Sequence, residues 1–493
     1  MKYLVSASEM KRYDSNTIEK IGIPACVLME RAALAAVEAA EVHCAGLEGR
    51  KSALIMAGTG NNGGDGLAAA RLLSEKGYQV EVWCVGNREK ASGQWKQQMA
   101  ILENYPVEFT EKPVKAEYTV LLDALFGVGL SREVSGEYKE AVDIFNSLEG
   151  WKLAMDLPSG VDSDTGKVWG CAVKADRTVT FGFCKKGLML YPGYGYAGEV
   201  ATAEIGISEK SFYGEAPDMY AYDEEPLSLM PKRDGGGNKG TFGKVLLAAG
   251  SMNMAGAAVL AARAAYRSGA GMVKVLTDAE NRIIIQQAVP EALFGTREQL
   301  AEGMEWADVI AIGPGLGKSD AAGQCMEQVI RESRKPLLVD ADGLNLLAQD
   351  HALRDVLAAQ GEAGRQIIVT PHVGELARLT GKTVAVCKED LPGTGVRLAE
   401  ALHGVVAAKD ARTFICKEGH AVCMNLSGNC GMATAGSGDV LAGIIAGLLA
   451  QGMEAFEAAA VGAYIHGLAG DRVAREKGAY ACMAWDIAEA VGY

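Results

Sequence analysis

Twice along this chain an apolar, strand-length run ends in a glycine-rich turn and passes directly into an alanine-rich stretch of helical length. The first is Ser52–Ala57 leading into Gly58–Gly66, and the second is Lys244–Ala249 leading into Gly250–Ala258. A strand that is apolar throughout has to be covered on both faces, and glycines at its carboxyl end let the chain turn at once into a covering helix. Shorter apolar runs alternate with helical stretches elsewhere, at Tyr118–Leu122, Leu153–Met155, Val309–Ile312, Leu337–Val339, Ile367–Val369 and Thr413–Cys416. The alternation predicts α/β domains with largely parallel sheets, and no short internal repeat is visible.

At roughly 100–200 residues per domain, 493 residues make two to four domains. The stretch from Glu215 to Lys232 is acidic, carries proline and lacks periodicity, and Asp234-Gly235-Gly236-Gly237-Asn238 follows it. We therefore divide the chain into a first domain at 1–215, a linker at 216–228 and a second domain at 229–493. The formal net charge of -14 argues against a nucleic-acid partner, although a local pocket can still accept a small anion. Eleven scattered cysteines without a Cys-x-x-Cys pair read as free thiols in a reducing cytoplasm. The opening Met1–Ala7 has no apolar core of signal-peptide length, and Ala433–Ala450 is interrupted by glycines and Asp439. A cytoplasmic protein without a membrane span is expected.

In the first half, Gly58-Thr59-Gly60-Asn61-Asn62-Gly63 matches Gly-x-Gly-x-x-Gly between a strand and a helix. Such glycines let backbone N–H groups and a helix N-terminus approach a diphosphate, but the same spacing also makes a plain tight turn. A dehydrogenase would carry an acid at the end of the next strand, whereas Val80–Val85 ends in Gly86-Asn87-Arg88. Two further loops open with an aspartate directly after a strand: Asp123 to Arg132, and Asp156-Leu157-Pro158-Ser159-Gly160-Val161-Asp162. One such aspartate is ordinarily a cap. Three polar loops at one sheet edge point instead to a ligand site.

In the second half, Ala435-Gly436-Ser437-Gly438-Asp439 opens the apolar stretch Val440–Ala450. Small residues at a helix start expose N–H groups to a phosphoryl group, and Asp439 would stand where it can take a proton from an attacking hydroxyl. The other reading is a glycine turn with an acid favoured by the helix dipole. Upstream lie Gly313-Pro314-Gly315-Leu316-Gly317, Asp340-Ala341-Asp342 and Thr370-Pro371-His372-Val373-Gly374-Glu375. Glu375 is a candidate magnesium partner, and His372, after a strand at Thr-Pro, is placed at a pocket.

On Asn61–Gly66, Asp123-x-x-x-Gly127-x-Gly129, Asp156-x-Pro158-Ser159-Gly160 and the helix carrying Leu28-Met29-Glu30-Arg31-Ala32, the first domain resembles the NAD(P)H-hydrate epimerase family. The resemblance implies a Rossmann-like three-layer α/β/α fold. It implies hydrate binding by Asn61, Asn62, Gly63, Gly64 and Asp65, by Gly127, Val128, Gly129, Leu130, Ser131, Arg132 and Glu133, and by Asp156. It also implies a potassium ion held by Asn62, Asp123 and Ser159. Asp156 is the candidate proton carrier and Asp65 the second. The chemistry is modest: the ring nitrogen helps the adjacent carbon–oxygen bond open, and closure on the other face inverts the centre.

The second domain resembles the NAD(P)H-hydrate dehydratase branch of the ribokinase-like superfamily. The resemblance rests on Lys239-Gly240-x-x-Gly243, Gly313–Gly317, Pro371-His372-x-Gly374-Glu375 and Ala435–Asp439. It implies a ribokinase-like α/β/α fold, hydrate contacts at Ala257, Gly317, His372 and Asp439, and nucleotide contacts at Lys409, Asp410, Ala411, Arg412, Thr413 and Gly438. Magnesium and ADP are the implied cofactor and co-substrate, with Asp439 the catalytic base. Sugar kinases tend to carry Asn-x-x-Glu where this chain has His372-x-x-Glu375. Asp410 stands where glycine is expected, and Asn238 where histidine is expected. The implied activity is repair of hydrated NADH and NADPH (NADHX and NADPHX) by an R/S epimerase fused to an ADP-dependent dehydratase, and both families imply homo-oligomers. The alternative is a small-alcohol or vitamin-precursor kinase with a non-catalytic N-terminal ligand-binding module.

Overall fold

The computed structural model describes residues 1–49 and 51–492. The chain forms two compact units, Lys2–Asp218 and Met219–Tyr493, the second of which also includes Met1. Among the described residues no helix is long and apolar enough to cross a membrane, and all eleven cysteines are free thiols.

The strands of the first unit are β1 (Lys2–Val5), β2 (Ser52–Ala57), β3 (Gln79–Cys84), β4 (Glu108–Thr110), β5 (Glu117–Ala124), β6 (Glu149–Met155), β7 (Arg177–Phe181), β8 (Cys184–Lys185) and β9 (Glu199–Ala203). Seven of them form a sheet in the order β4-β3-β2-β5-β6-β7-β9, with every pairing parallel. Leu54, Ile55, Met56, Leu121 and Leu122 are buried, as strands covered on both faces require. One face packs on the helices Ala25–His43 and Asn61–Glu75, the other on Glu137–Ser147. The order places β2, β5 and β6 side by side, so the loops that follow them share one sheet edge. Beside this sheet β1 and β8 pair in parallel, Leu4 with Cys184 and Val5 with Lys185.

The second unit contains β10 (Met219–Ala221), β11 (Lys244–Ala248), β12 (Met272–Leu276), β13 (Leu293–Gly295), β14 (Val309–Ile312), β15 (Leu337–Val339), β16 (Ile367–Val369), β17 (Val405–Lys409), β18 (Thr413–Lys417) and β19 (Val422–Asn425). They run in the order β13-β12-β11-β14-β15-β16-β17-β18-β19-β10. The ladder is parallel from β13 to β17, turns antiparallel at β18 and β19, and ends with β10 parallel to β19. The helices Ala255–Arg267 and Ser437–Ala450 cover it with a largely alanine, glycine and leucine surface. They approach so closely that a Cβ on Gly443 would lie 2.2 Å from the Ala261 carbonyl oxygen, so only glycine fits there.

The division falls inside the stretch read as a linker, and Met219–Ala221 pairs with β19 through Met219–Val422 and Tyr220–Cys423. Tyr222 packs on Tyr464 at 5.9 Å, and the Tyr464 hydroxyl donates to the Glu224 carbonyl at 2.9 Å. A fragment beginning at residue 219 keeps all of this, and one beginning at 225 loses it. Fragments 1–218 and 219–493 are expected to fold separately. Fragment 225–493 is expected to be less stable than 219–493 by about 2–3 kcal/mol, the order for one buried apolar side chain plus a few contacts. Urea denaturation of the two fragments measures the difference.

Candidate functional site

In the first unit the three loops after β2, β5 and β6 meet. Gly63 sits so close to the turn that a Cβ there would lie 1.8 Å from the Gly58 carbonyl oxygen. The helix Asn61–Glu75 therefore starts hard against the strand end, and Gly60 at its start supplies no side-chain cap. Its first N–H groups remain available to an anion. Asn62 donates from Nδ2 to the Phe126 carbonyl at 3.0 Å, and the Phe126 N–H donates to Ser159 Oγ at 2.9 Å. Asp123 is fully buried. Its oxygens accept from the Ser159 N–H (2.7 Å), the Ser159 hydroxyl (2.6 Å) and the Leu125 N–H (3.2 Å). Burial pushes its carboxyl up to about 6, against those hydrogen bonds, and no charged neighbour contributes.

Asn62, Asp123, Ser159 and the Phe126 carbonyl therefore form a compact set of oxygen donors around a buried carboxylate. Among the described residues no basic side chain is bonded to it. This donor set fits a hard monovalent cation, because a buried carboxylate without a counter-charge is costly.

Asp156 leaves β6 with a left-handed backbone, φ 69°, while its N–H donates to the Val179 carbonyl at 2.8 Å. A non-glycine residue held there is strained, which turns its side chain out of the ladder direction at a ligand-facing loop. The carboxylate meets Lys185 Nζ at 2.5 Å, the Thr180 hydroxyl at 3.1 Å and the Phe181 N–H at 3.3 Å, all through Oδ1. Lys185 is 1% exposed and also donates to the Phe181 carbonyl at 2.8 Å. Both residues open onto a cavity of about 760 Å³ that Asn61, Asn62, Asp65 and residues 127–132 also line. Its apolar wall includes Met10, Leu28, Met29, Phe181 and Ile207.

The expected hydrate-binding residues thus come together, with three exceptions in placement. Gly63 and Gly64 lie behind the cavity wall, Gly64 against Met29 and Trp95, and Glu133 turns toward Gly170. Lys185 and Asp14, also at the cavity, had no motif to announce them.

In the second unit the loops after β11, β14, β15, β16 and β17 share the carboxyl edge. β16 and β17 bring His372 beside Lys409, with the Lys409 N–H donating to the Pro371 carbonyl at 2.8 Å. Lys409 Nζ donates to Asp340 Oδ1 at 2.9 Å, and the Thr370 hydroxyl donates to the same oxygen at 2.6 Å. A Cβ on Gly438 would stand 3.4 Å from Lys409 Nζ, so the ammonium faces the start of the helix Ser437–Ala450. The carboxylates Asp340 and Glu375 raise the Lys409 pKa despite its burial, so it stays charged.

Asp439, three residues into that helix, is pushed up to about 7 by burial and by the neighbouring Asp340 and Asp342, against Lys409. Behind the helix start, Ser437 Oγ lies 3.3 Å from His466 Nε2. Burial holds that imidazole down at about 4, and therefore neutral.

His372 caps the helix Val373–Thr380. Its Nδ1 accepts from the Gly374 N–H at 3.0 Å, which leaves the ring proton on Nε2, 3.3 Å from Glu375 Oε1. Burial and Lys409 lower its pKa, so the ring is a neutral donor. Glu375 Oε2 accepts the His372 N–H at 2.9 Å. Both Glu375 oxygens thus face His372, and each keeps a lone pair with which a magnesium ion could be held, directly or through water. Gly317 donates its N–H to Asp342 Oδ2 at 2.9 Å, and Ala257 packs against Gly315, so those two expected contacts are neighbours.

Residues 410–412 form the turn between β17 and β18, closed by the Lys409–Thr413 pair. Asp410 is absent from the left-handed residues of the described chain, so glycine's freedom is not needed there. Arg412 is buried and donates to the Leu426 carbonyl at 3.0 Å.

Fold and sites together define a chain with two α/β small-molecule enzyme units. The family profile described as NAD(P)H-hydrate dehydratase matches residues 245–491, and the profile described as YjeF-related protein N-terminus matches residues 25–187. The bifunctional NAD(P)H-hydrate repair enzyme Nnr of Moorella thermoacetica is 36% identical, over 100% of this chain and 96% of its own length. The Escherichia coli enzyme of the same name is 32% identical, over 98% and 92%. A solved Bacillus subtilis ADP/ATP-dependent NAD(P)H-hydrate dehydratase, co-crystallized with ATP/Mg2+, is 28% identical, covering 54% of this chain and 95% of that one with a TM-score of 0.47. This chain belongs to the family of bifunctional NAD(P)H-hydrate repair enzymes.

The shifted carboxyl of Asp439 has a cost in stability. A carboxyl whose pKa is higher folded than unfolded holds extra protons in the folded state between the two values, so stability falls as pH rises through that window. Here the window runs from the ordinary carboxyl value up to about 7. Asp439→Asn is expected to melt at a higher temperature than the parent at pH 8 and at the same temperature near pH 4. Thermal melts at the two pH values test this.

Proposed function

We propose that the first unit interconverts the R and S epimers of hydrated NADH and NADPH, and that the second dehydrates the S epimer at the expense of ADP, giving AMP, phosphate and NAD(P)H. The observation that carries the second half is Asp439 at the start of the Ser437–Ala450 helix, facing Lys409. A carboxyl titrating at about 7 is matched to accept a proton at neutral pH. Asp439 takes the proton from the hydrate's hydroxyl as its oxygen forms a bond to the terminal phosphorus of the nucleotide. Lys409 and the N–H group at Gly438 face the charge that builds on the transferred group. The bond from that phosphorus to AMP breaks as the new one forms. The ring nitrogen's electron pair then expels phosphate, a better leaving group than hydroxide, to give a C=N bond, and loss of a proton from the neighbouring ring carbon to the departing phosphate restores the dihydronicotinamide. The neutral His372 Nε2–H and the Gly317 loop hold the hydrate's polar groups. Glu375 would help hold a magnesium ion brought by the nucleotide, and such an ion would supply neutralisation of phosphate charge.

In the first unit the oxygen donors of Asn62, Asp123 and Ser159 would hold potassium beside the loop at residues 127–132. The Asn61–Glu75 helix start would take the hydrate's diphosphate. An ion held there would offset the charge of the ionised Asp123 and tie the loops after β5 and β6 together.

Two variants separate the units. Asp439→Asn is expected to lower ADP-dependent dehydration by about 10²–10⁴-fold and to abolish the rise in rate with pH through about 7. It should continue to equilibrate the two epimers, and chromatography of separated R and S hydrates with and without ADP reads both activities. Repair at the parent rate would reduce Asp439 to a helix cap. Asp123→Ala is expected to abolish the potassium dependence of epimerisation and lower its rate, while dehydration of the S epimer continues. Equal loss of both activities would show misfolding rather than a lost cation site.

A further inference from the structure

Three carboxyls and one buried ammonium line the first unit's cavity: Asp14, Asp65, Asp156 and Lys185. Lys185 bonds to Asp156, so one positive charge answers one of the three acids. The remaining charged lining groups, Lys11 and Arg132, are exposed at the rim, and Tyr138 is the other titratable group there. The hydrogen bonds to Asp156 all end on Oδ1. Among the described residues its Oδ2 has no partner, and neither carboxyl oxygen of Asp65 has one. Asp65 follows β2 and Asp156 follows β6, so they reach the cavity from either side of the loop after β5. Environment separates them. Asp156 is held by an ammonium, whereas burial and the charge of Asp156 push the Asp65 pKa well up.

We propose that Asp65 and Asp156 form a two-carboxyl proton relay for epimerisation, with Asp65 the protonated acid and Asp156, held by Lys185, the ionised base. This rests on the epimerase reading of the first unit. In one direction Asp65 gives its proton to the hydrate's hydroxyl. The ring nitrogen's electron pair forms a C=N bond as the C–O bond breaks, and water leaves. A water on the opposite face then adds. Its oxygen forms the new C–O bond, the C=N pair returns to nitrogen, and Asp156 Oδ2 takes the released proton. The hydroxyl has changed face, one proton has moved from Asp65 to Asp156, and no electrons enter or leave. That end state is the starting state for inversion the other way, and exchange with solvent resets it. Lys185 is a positioning residue: it leaves Oδ2 as the oxygen that works.

The test is the interconversion rate of separated hydrates by the full-length protein across pH, for the parent, Asp65→Asn, Asp65→Glu and Asp14→Asn. ADP-dependent repair of the S epimer serves as the folding control. The parent is expected to lose epimerisation at high pH as Asp65 loses its proton. Asp65→Asn should lower the rate about 10²–10⁴-fold and remove that alkaline limb, with repair of the S epimer unchanged. Asp65→Glu should recover part of the rate with a shifted limb, and Asp14→Asn, which removes a charge that raises the Asp65 pKa, should move the limb to lower pH. An Asp65→Asn protein that epimerises within about threefold of the parent, or a loss confined to Asp14→Asn, overturns the relay. If Asp65→Asn unfolds the first unit, Asp65→Glu decides, and an unshifted limb in it counts against the relay. A parent that fails to interconvert the epimers faster than buffer overturns the epimerase reading itself, a result distinct from all of these.

Discussion

A carboxylate buried at the carboxyl end of a parallel strand must be answered by donors or by a cation, and both units are arranged around that demand. Asp123, the penultimate residue of β5, is answered by Ser159 and the Leu125 N–H, and Asp340 after β15 by Thr370 and Lys409. Meeting the demand draws separate loops together. Ser159 belongs to the loop after β6, and Lys409 ends β17. The donors that make burial of each acid tolerable are therefore the same groups that fix the walls of each site.

The two solutions differ in a way that suits their chemistry. Around Asp123 the answer is uncharged, which leaves its carboxyl high at about 6. Around Asp340 the answer is an ammonium, and that ammonium is aimed at a helix N-terminus. Charge at the second site is thus supplied by the fold, and the acid beside it, Asp439, is left near neutrality at about 7. An inversion that only opens and closes one bond asks for order. A transfer of phosphate asks for compensating charge.

How much of this the sequence disclosed follows from how local each feature is. The strands at Ser52–Ala57, Val309–Ile312 and Ile367–Val369, and the glycine turns after β2 and before Ser437, are set by neighbours in sequence. Asp123, Asp156, His372 and Asp439 were visible because each directly follows a strand or opens a helix beside such turns. Lys185 was not. A lysine followed by another, Lys186, reads as solvent-facing. Its burial depends on β8 pairing with β1, so that Val5 stands opposite Lys185, a contact spanning most of the unit. His466 is similar: nothing in an alanine-rich helix marks the imidazole that meets Ser437. Met219–Ala221 was read as linker because a three-residue edge strand has too few positions to show a period, and its flanks are acidic.

The contact at Gly443 carries a meaning beyond packing. Six residues separate it from Ser437, about 9 Å along the axis. The Ser437–Ala450 helix rests on the Ala261 backbone with no side chain between them. Cushioned helices can absorb an added methyl group by rotamer change, but two backbones in contact can answer only by moving as rigid rods. A residue with no functional group, about one turn beyond Asp439, therefore sets the height at which the start of this helix stands. A methyl group added at this position would act at the far end of the helix as a displacement of the whole lever.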